Sequence, residues 1–410
     1  MTAAVVLGGL AAGLVGAGMT LLLRGIEIVA YGQDGTSLAQ GAAPLRRILA
    51  PVIGGTLAGL GWWVLRRNSE VLPLSAALED PDRPVRFWRT TTDALLQVLL
   101  VGAGGSLGRE GAPRQTAAVA AQLIGRRLGV APDDGRIILA AAAGAGLAAV
   151  YNVPLAGALF ALEILLARRS PRAVVTALTM SVIATLVARP VVADRPTYDF
   201  PMAAPDAGTL GWAVVAVPLC ALLGLSFHAL RVVAERHRPP VSWRLPVAIA
   251  VAGLVLGLLS VPLPDLPGNG AAIMQTTFAG GGSVTLFALL VLLKPLVTGL
   301  YVRSGAVGGL LTPALATGAA AGGLAATIVR ATGGEASVAL WSLVGSAGVL
   351  AVTQRAPLFA SAMAFELTGA PLWTAPVLVA VAYAATGTAH LAVRVRARRR
   401  ARRPPVTRGR

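Results

Sequence analysis

The chain has 410 residues, of which 55% are hydrophobic and only 13% charged, and its mean hydropathy of +0.72 is too high for a soluble domain. A net charge of +17 suggests nucleic acid, but the basic residues lie between apolar runs or in the stretch 394–410, without interleaved aromatics, as expected of cytoplasmic loops. The single Cys220 excludes an internal disulfide and any multi-cysteine metal site.

Apolar runs at 2–23, 45–65, 173–187, 210–230, 245–261 and 374–393 are each near the ~20 residues that cross a bilayer core. Strand-type alternation is absent, so the expected fold class is an all-α, multi-pass membrane protein. The first run lacks a basic start and a small-residue cleavage site, so it reads as a retained span. It ends near Arg24, and the second stops at Arg66-Arg67. Residues 68–93, with Pro73, Pro81 and Pro84, form the most polar segment, where little regular spanning structure is expected. An apolar run from Ala94 then leads into Gly104-Gly105-Ser106-Leu107-Gly108-Arg109-Glu110-Gly111-Ala112-Pro113, and a small-residue helix is predicted over 116–128.

The segment 137–167 is apolar but contains Tyr151-Asn152-Val153-Pro154, and proline breaks a helix by removing a donor and restricting the residue before it. Basic residues flank it, Arg126-Arg127 before and Arg168-Arg169 and Arg172 after, so it is read as two half-helices entering and leaving on one side. From 173 the chain crosses out, returns to the basic loop 231–238, and crosses out again to 261. The following loop, 262–283, has Asp265 and no Lys or Arg, which suits an outer loop. Both termini are therefore expected in the cytoplasm, with 394–410 as a basic tail that can meet anionic lipid headgroups; Arg46-Arg47 fits this scheme poorly.

Self-similarity divides the chain into a first membrane repeat, 1–200, and a second, 201–393. Pro113 and Pro313 close two glycine-rich loops 200 residues apart, Pro154 and Pro357 lie 203 apart, and Glu163 and Glu366 repeat that spacing. Paired, Gly/Pro-interrupted spans in two halves are a transporter pattern, and an odd number of crossings per half would make the repeats inverted. Each loop precedes a helix, whose first N–H groups lack partners and carry partial positive charge. Two such ends aimed at one point would bind an anion through backbone donors. The anion-binding candidates are Gly108, Arg109, Glu110 and Gly111 in the first loop and Gly308, Gly309, Leu310 and Leu311 in the second.

Glu110 is the candidate gate. A carboxylate at membrane depth is costly, and an ionised one would compete with an anion for the same N–H groups; the plainer role is to complement its own helix. Arg109 either supports the anion or pairs with an acidic neighbour. Glu163 and Glu366 read as helix caps or arginine partners rather than proton carriers, and Lys294, beside Pro295, as a residue of a cytoplasmic entrance or an ordinary interfacial lysine. His228, His237 and His390 have no ligand spacing. The loop lacks the Lys-Ser/Thr ending of a phosphate loop, 144–149 follows no strand, and no catalytic constellation is present, so an enzyme is not expected.

These residues resemble the CLC family of chloride channels and chloride/proton antiporters. Gly108-Arg109-Glu110-Gly111 resembles the family's Gly-Arg-Glu-Gly-Pro element, whose glutamate is the external gate. Ser304-Gly305-Ala306-Val307-Gly308-Gly309-Leu310-Leu311-Thr312-Pro313 resembles its second anion loop, with Leu310 and Leu311 at the amide-donor positions. Segments 145–163 and 348–369 resemble the half-helix pieces, and the likeness runs from about 95 to 387. The resemblance implies inverted repeats of tilted and broken helices, a homodimer with one pathway per subunit, chloride or a similar small anion as substrate with protons as a further partner, no organic cofactor, and a short member without cytoplasmic regulatory domains.

Four departures stand out. Ala112 replaces the usual proline, with Pro113 one place later. A Gly-Ser-Gly-Ile-Pro element is missing, and 67–77 offers only Ser69 and Ser75. Tyr383 falls too early to be the coordinating tyrosine, and Ile164 stands where antiporters often carry an inner glutamate. Ile164 points toward a channel rather than a strictly coupled antiporter. The missing hydroxyls leave as alternative a non-conducting relative that acts in binding or assembly.

Overall fold

The structure, a computed structural model, describes residues 1–36, 39–67, 71–79, 86–167 and 170–401, without the side chains of 399–401. Ser69, Pro81, Pro84, Arg168-Arg169 and the end of the basic stretch beyond 401 lie outside the described residues.

Sixteen helices account for the described chain. The first eight are α1 (Thr2–Tyr31), α2 (Pro44–Arg67), α3 (Leu74–Glu79), α4 (Phe87–Gly102), α5 (Gly111–Arg127), α6 (Pro132–Tyr151), α7 (Pro154–Leu159) and α8 (Pro171–Val192). The second eight are α9 (Ala207–Arg236), α10 (Arg244–Ser260), α11 (Ala271–Phe278), α12 (Val284–Arg303), α13 (Leu311–Ala331), α14 (Val338–Gln354), α15 (Pro357–Thr368) and α16 (Thr374–Ala401). Eight of these are long and apolar enough to cross a bilayer. Four helix starts are fixed by side-chain caps: Ser170, Asp206, Ser283 and Ser337 each accept a bond from the N–H three residues on.

The two broken spans share one backbone device. Asn152 and Arg355 both have φ 55°, turning the chain into the left-handed region. Pro154 and Pro357 then restart the helix, where a missing N–H costs nothing. After the first break α7 passes into a π-helical turn, Phe160–Leu165, which contains Glu163 and Ile164; α15 stays regular.

Glycine permits the closest contacts. In α13 and α14, a Cβ on Gly318 or Gly345 would strike the other's carbonyl, and Gly144 and Gly157 stand in the same relation between α6 and α7. Such backbone-to-backbone packing is how helices associate where lipid offers no hydrophobic driving force.

The halves meet reciprocally. Glu163 accepts from Leu358 N (3.4 Å) and Phe359 N (2.8 Å) at the start of α15. Glu366 accepts from Leu155 N (3.0 Å) and Ala156 N (2.7 Å) at the start of α7. Gly55 and Gly59 of α2 lie against Ile249 and Pro246 of α10, and Gly253 and Gly257 of α10 lie against Pro51 and Ile48. When residue i meets j and the equivalent of j meets the equivalent of i, the two parts are related by a two-fold axis. The fold is thus an all-α multi-pass membrane architecture of two inverted repeats, and the carboxylates at 163 and 366 are caps placed across the repeat boundary.

Several expectations need correction. Helix α5 starts at Gly111 rather than 116, because Pro113 occupies its first turn, where the missing donor would be unpartnered anyway. Pro313 holds the same third position in α13, so the departure at Ala112 makes the two starts alike. Helix α4 starts at Phe87 rather than near Ala94. The polar look of that stretch misleads, because Asp93 is buried and satisfied by Trp62 Nε1 (2.9 Å), Gln97 Nε2 (2.8 Å) and Gln115 Nε2 (3.0 Å), with Arg66 at 3.6 Å. The loop 262–283 contains α11, and its Asp265 is buried against Gln40 and Thr276. Arg47 is taken up locally by the carbonyls of Ala42 and Gln40. Helix α16 continues to Ala401, so the basic stretch from 394 begins as helix.

Candidate functional site

The loops before α5 and α13 are clamped together by a short antiparallel bridge. Gly108 N–H donates to the Gly309 carbonyl (2.6 Å), and Gly309 N–H donates back to that of Gly108 (2.8 Å). A side chain at either glycine would fill the space taken by the Glu110 carboxylate, and one at Gly111 would strike Gln97. Gly308 packs on Leu107.

Glu110 precedes α5, yet its carboxylate makes no cap bond to that helix. It turns to the other repeat. Oε1 accepts from Leu311 N at 2.8 Å, the first residue of α13, and Oε2 accepts from Thr312 Oγ1 at 3.1 Å. The Tyr151 hydroxyl lies 2.9 Å from Thr312 Oγ1 and 3.4 Å from Glu110 Oε2. The group is sealed: Glu110 is 0% exposed and Tyr151 and Leu311 are also buried. The carboxylate therefore sits at the positive end of a 21-residue helix, held by the neutral donors Leu311 N and Thr312 Oγ1, with the Tyr151 hydroxyl beside them.

Two cavities reach residues next to Glu110. One, of about 180 Å³, is lined by Arg24, Glu27, Arg109, Arg195, Tyr198 and Asn269 among others. Burial holds the Tyr198 phenol well above its usual titration range. The other, of about 470 Å³, is lined by Gly308, Gly309, Leu310 and Leu311 together with Arg114, His228, Arg231 and Arg355. Glu110 lines neither, and its neighbours Arg109 and Leu311 line one each.

Arg109 does not point at the seat of the carboxylate. Its guanidinium lies over the Tyr151 ring, 4.6 Å from the centroid, with a 3.4 Å bond to Val150 O, and it shares its cavity with the buried Glu27. Arg114, one turn into α5, donates to the Glu110 carbonyl (2.9 Å) and stacks over Phe160. Lys294 is neither at an entrance nor at an interface. It is fully buried, and its Nζ donates to Ser106 Oγ (3.0 Å) and to the carbonyls of Leu266 (3.1 Å) and Gly268 (2.6 Å). The α12 backbone buries it beneath the first loop, where the carbonyls of an irregular segment need a donor.

Ile164 is half-buried in the π-helical turn next to the cap Glu163. Ser75 is exposed on α3 and Tyr383 is exposed on α16, so neither supplies the site. His237 and His390 are exposed, while His228 lines the larger cavity. Sequence reasoning missed Tyr151 and Thr312. Both stood in quoted motifs, the first helix break and the second loop, but their hydroxyls meet only through folding across 161 residues.

Residues 61–388 match the family described as voltage gated chloride channel. The chain is 31% identical over 381 residues to the voltage-gated ClC-type chloride channel ClcB of Escherichia coli strain HS, covering 88% of this chain and 89% of that protein. Its fold matches a slow cyanobacterial Cl−/H+ antiporter with a TM-score of 0.79 at 23% identity, over 95% of this chain and 94% of the other. It also matches a CLC-type fluoride/proton antiporter with a TM-score of 0.72 at 20% identity, over 93% of each chain. The chain belongs to the voltage-gated chloride channel (CLC) family of multi-pass membrane proteins.

Proposed function

We propose that this chain passes chloride or a similar small anion across the membrane through a seat at the start of α13, with Glu110 as the plug. The observation that carries the reading is the carboxylate itself, an anion of the protein's own, bonded to Leu311 N and Thr312 Oγ1, with Tyr151 OH against the threonine hydroxyl. Donors that hold one anion can hold another of similar size once it leaves. Neutral donors bind without the full positive charge that would trap the ion. Ionised, Glu110 competes for these donors. Protonated, it has less acceptor capacity and carries no charge for the helix end to attract, so it vacates the seat. Gly108, Gly111, Gly308 and Gly309 leave room for the ion, and Leu310 and Leu311 present the helix start to the larger cavity.

The larger cavity, beside the basic loop 231–238, opens to the cytoplasm in this reading, and the smaller one opens outward. Both termini are then cytoplasmic, the membrane is that of a bacterial cell, and two copies associate, each with its own pathway. Residues 1–200 and 201–393 form the two repeats around the site, and the remaining basic stretch faces the cytoplasm.

Ile164, where coupled relatives often carry a second acid, favours conduction with loose or no proton coupling. The ClcB relative is named a channel, whereas the two solved neighbours are named antiporters. Proton coupling is therefore the second reading. Chloride efflux from liposomes tests the first claim, and wild-type vesicles that release no anion would sink it. Uphill proton movement driven by a chloride gradient in the same vesicles would establish antiport instead of a channel.

A further inference from the structure

We propose that Tyr151 and Thr312 are the specificity-determining hydroxyls of this seat. The inference rests on the anion-transport reading of the site and names which side chains sort its anions.

The two hydroxyls form a directional chain. Thr312 Oγ1 donates to Glu110 Oε2 at 3.1 Å, which leaves its oxygen to accept, and Tyr151 OH lies 2.9 Å from it. The order Tyr151 to Thr312 to carboxylate uses one proton from each group, and each bond polarises the next. Tyr151 is fixed from every side. Arg109 lies over its ring at 4.6 Å, Thr197 Oγ1 donates to its backbone carbonyl at 3.2 Å, and the break at Asn152 sets its place at the end of α6. Thr312 is the second residue of α13, so its side chain stands beside the Leu311 N–H that meets the other carboxylate oxygen. Both residues are buried, with 1% exposure each.

When Glu110 leaves, a spherical anion in its place meets one backbone N–H and a polarised hydroxyl pair, in a site closed to bulk water. Compact halides lose the most hydration on entering and need such donors most. Larger, weakly hydrated anions such as nitrate and thiocyanate need them less. The hydroxyls therefore raise the preference for chloride, and removing either lowers chloride binding more than nitrate binding.

Two measurements on the full-length chain test this: chloride and nitrate titration calorimetry on Glu110→Ala protein in detergent, and efflux of both ions from liposomes with Glu110 intact. Each is made with Tyr151→Phe, Thr312→Val and Thr312→Ser, on protein that elutes as a single species. The expected result is about a tenfold loss of chloride affinity for Tyr151→Phe and for Thr312→Val, with a smaller loss for nitrate. Thr312→Ser, which keeps the hydroxyl, stays near the parent. A chloride-to-nitrate ratio unchanged in Tyr151→Phe and Thr312→Val, or both ions weakened equally, would overturn the proposal even if the parent transports. If no parent vesicle releases anion while the calorimetric ratio shifts as described, the transport reading fails and the assignment of the hydroxyls stands.

Discussion

Glu110 stands by sequence just before α5 and is bonded to the start of α13. Because the carboxylate joins the two repeats, one side chain both ties the halves together and fills the point where their helix starts meet. Its legibility came from cost, since a carboxylate between two apolar runs needs a reason to be there. Tyr151 and Thr312 gave no such signal, because a tyrosine before a helix break and a threonine in a first turn are ordinary residues. Lys294 shows the same limit from the other side. Only the fold reveals that it satisfies two backbone carbonyls and Ser106 beneath the gate loop. Lys294→Met is accordingly expected to destabilise the protein by about 1–3 kcal/mol through those unpartnered acceptors. Lys294→Arg should not fully restore it, because a planar fork does not match three converging acceptors. Thermal unfolding in detergent would show this, and a Met variant as stable as the parent would contradict it.

At the scale of helices, the prolines and the constant spacing carried most of what could be read. The breaks at Tyr151–Pro154 and Arg355–Pro357 lie where proline put them. Boundaries governed by distant partners were less legible. Helix α4 reaches back to Phe87 because Trp62, Gln97 and Gln115 supply donors to Asp93, and two of the three lie in other helices. Glu163 and Glu366 were legible as caps but not as caps exchanged between repeats. Their reciprocity leads to a paired expectation: Glu163→Ala and Glu366→Ala each remove the acceptor for two backbone N–H groups. Each should cost about 2 kcal/mol in stability, with roughly half recovered by glutamine, which keeps one good acceptor oxygen. Denaturation of the four variants would test it, and a loss confined to one member of the pair would contradict equivalent roles.

For the whole molecule, hydropathy made the membrane class plain and the repeat made the architecture plain, while orientation and assembly rest on charge bias and family likeness. Cys220 is buried, so single cysteines at exposed sites can report sidedness against a low background. Met202→Cys, in the loop before α9, should react with an impermeant maleimide in intact cells, and Arg236→Cys, at the other end of α9, only after permeabilisation. The reverse pattern would invert the assigned topology. A native mass of two 41.5 kDa chains should accompany it, and monomers alone would refute the pairing.

The central claim is that an ionised Glu110 closes the anion seat. Chloride efflux from liposomes, compared between wild type and Glu110→Gln under the same gradient, tests it most directly. Glu110→Gln, which cannot carry the charge, should release chloride severalfold faster than wild type. Equal efflux from the two proteins would contradict the claim.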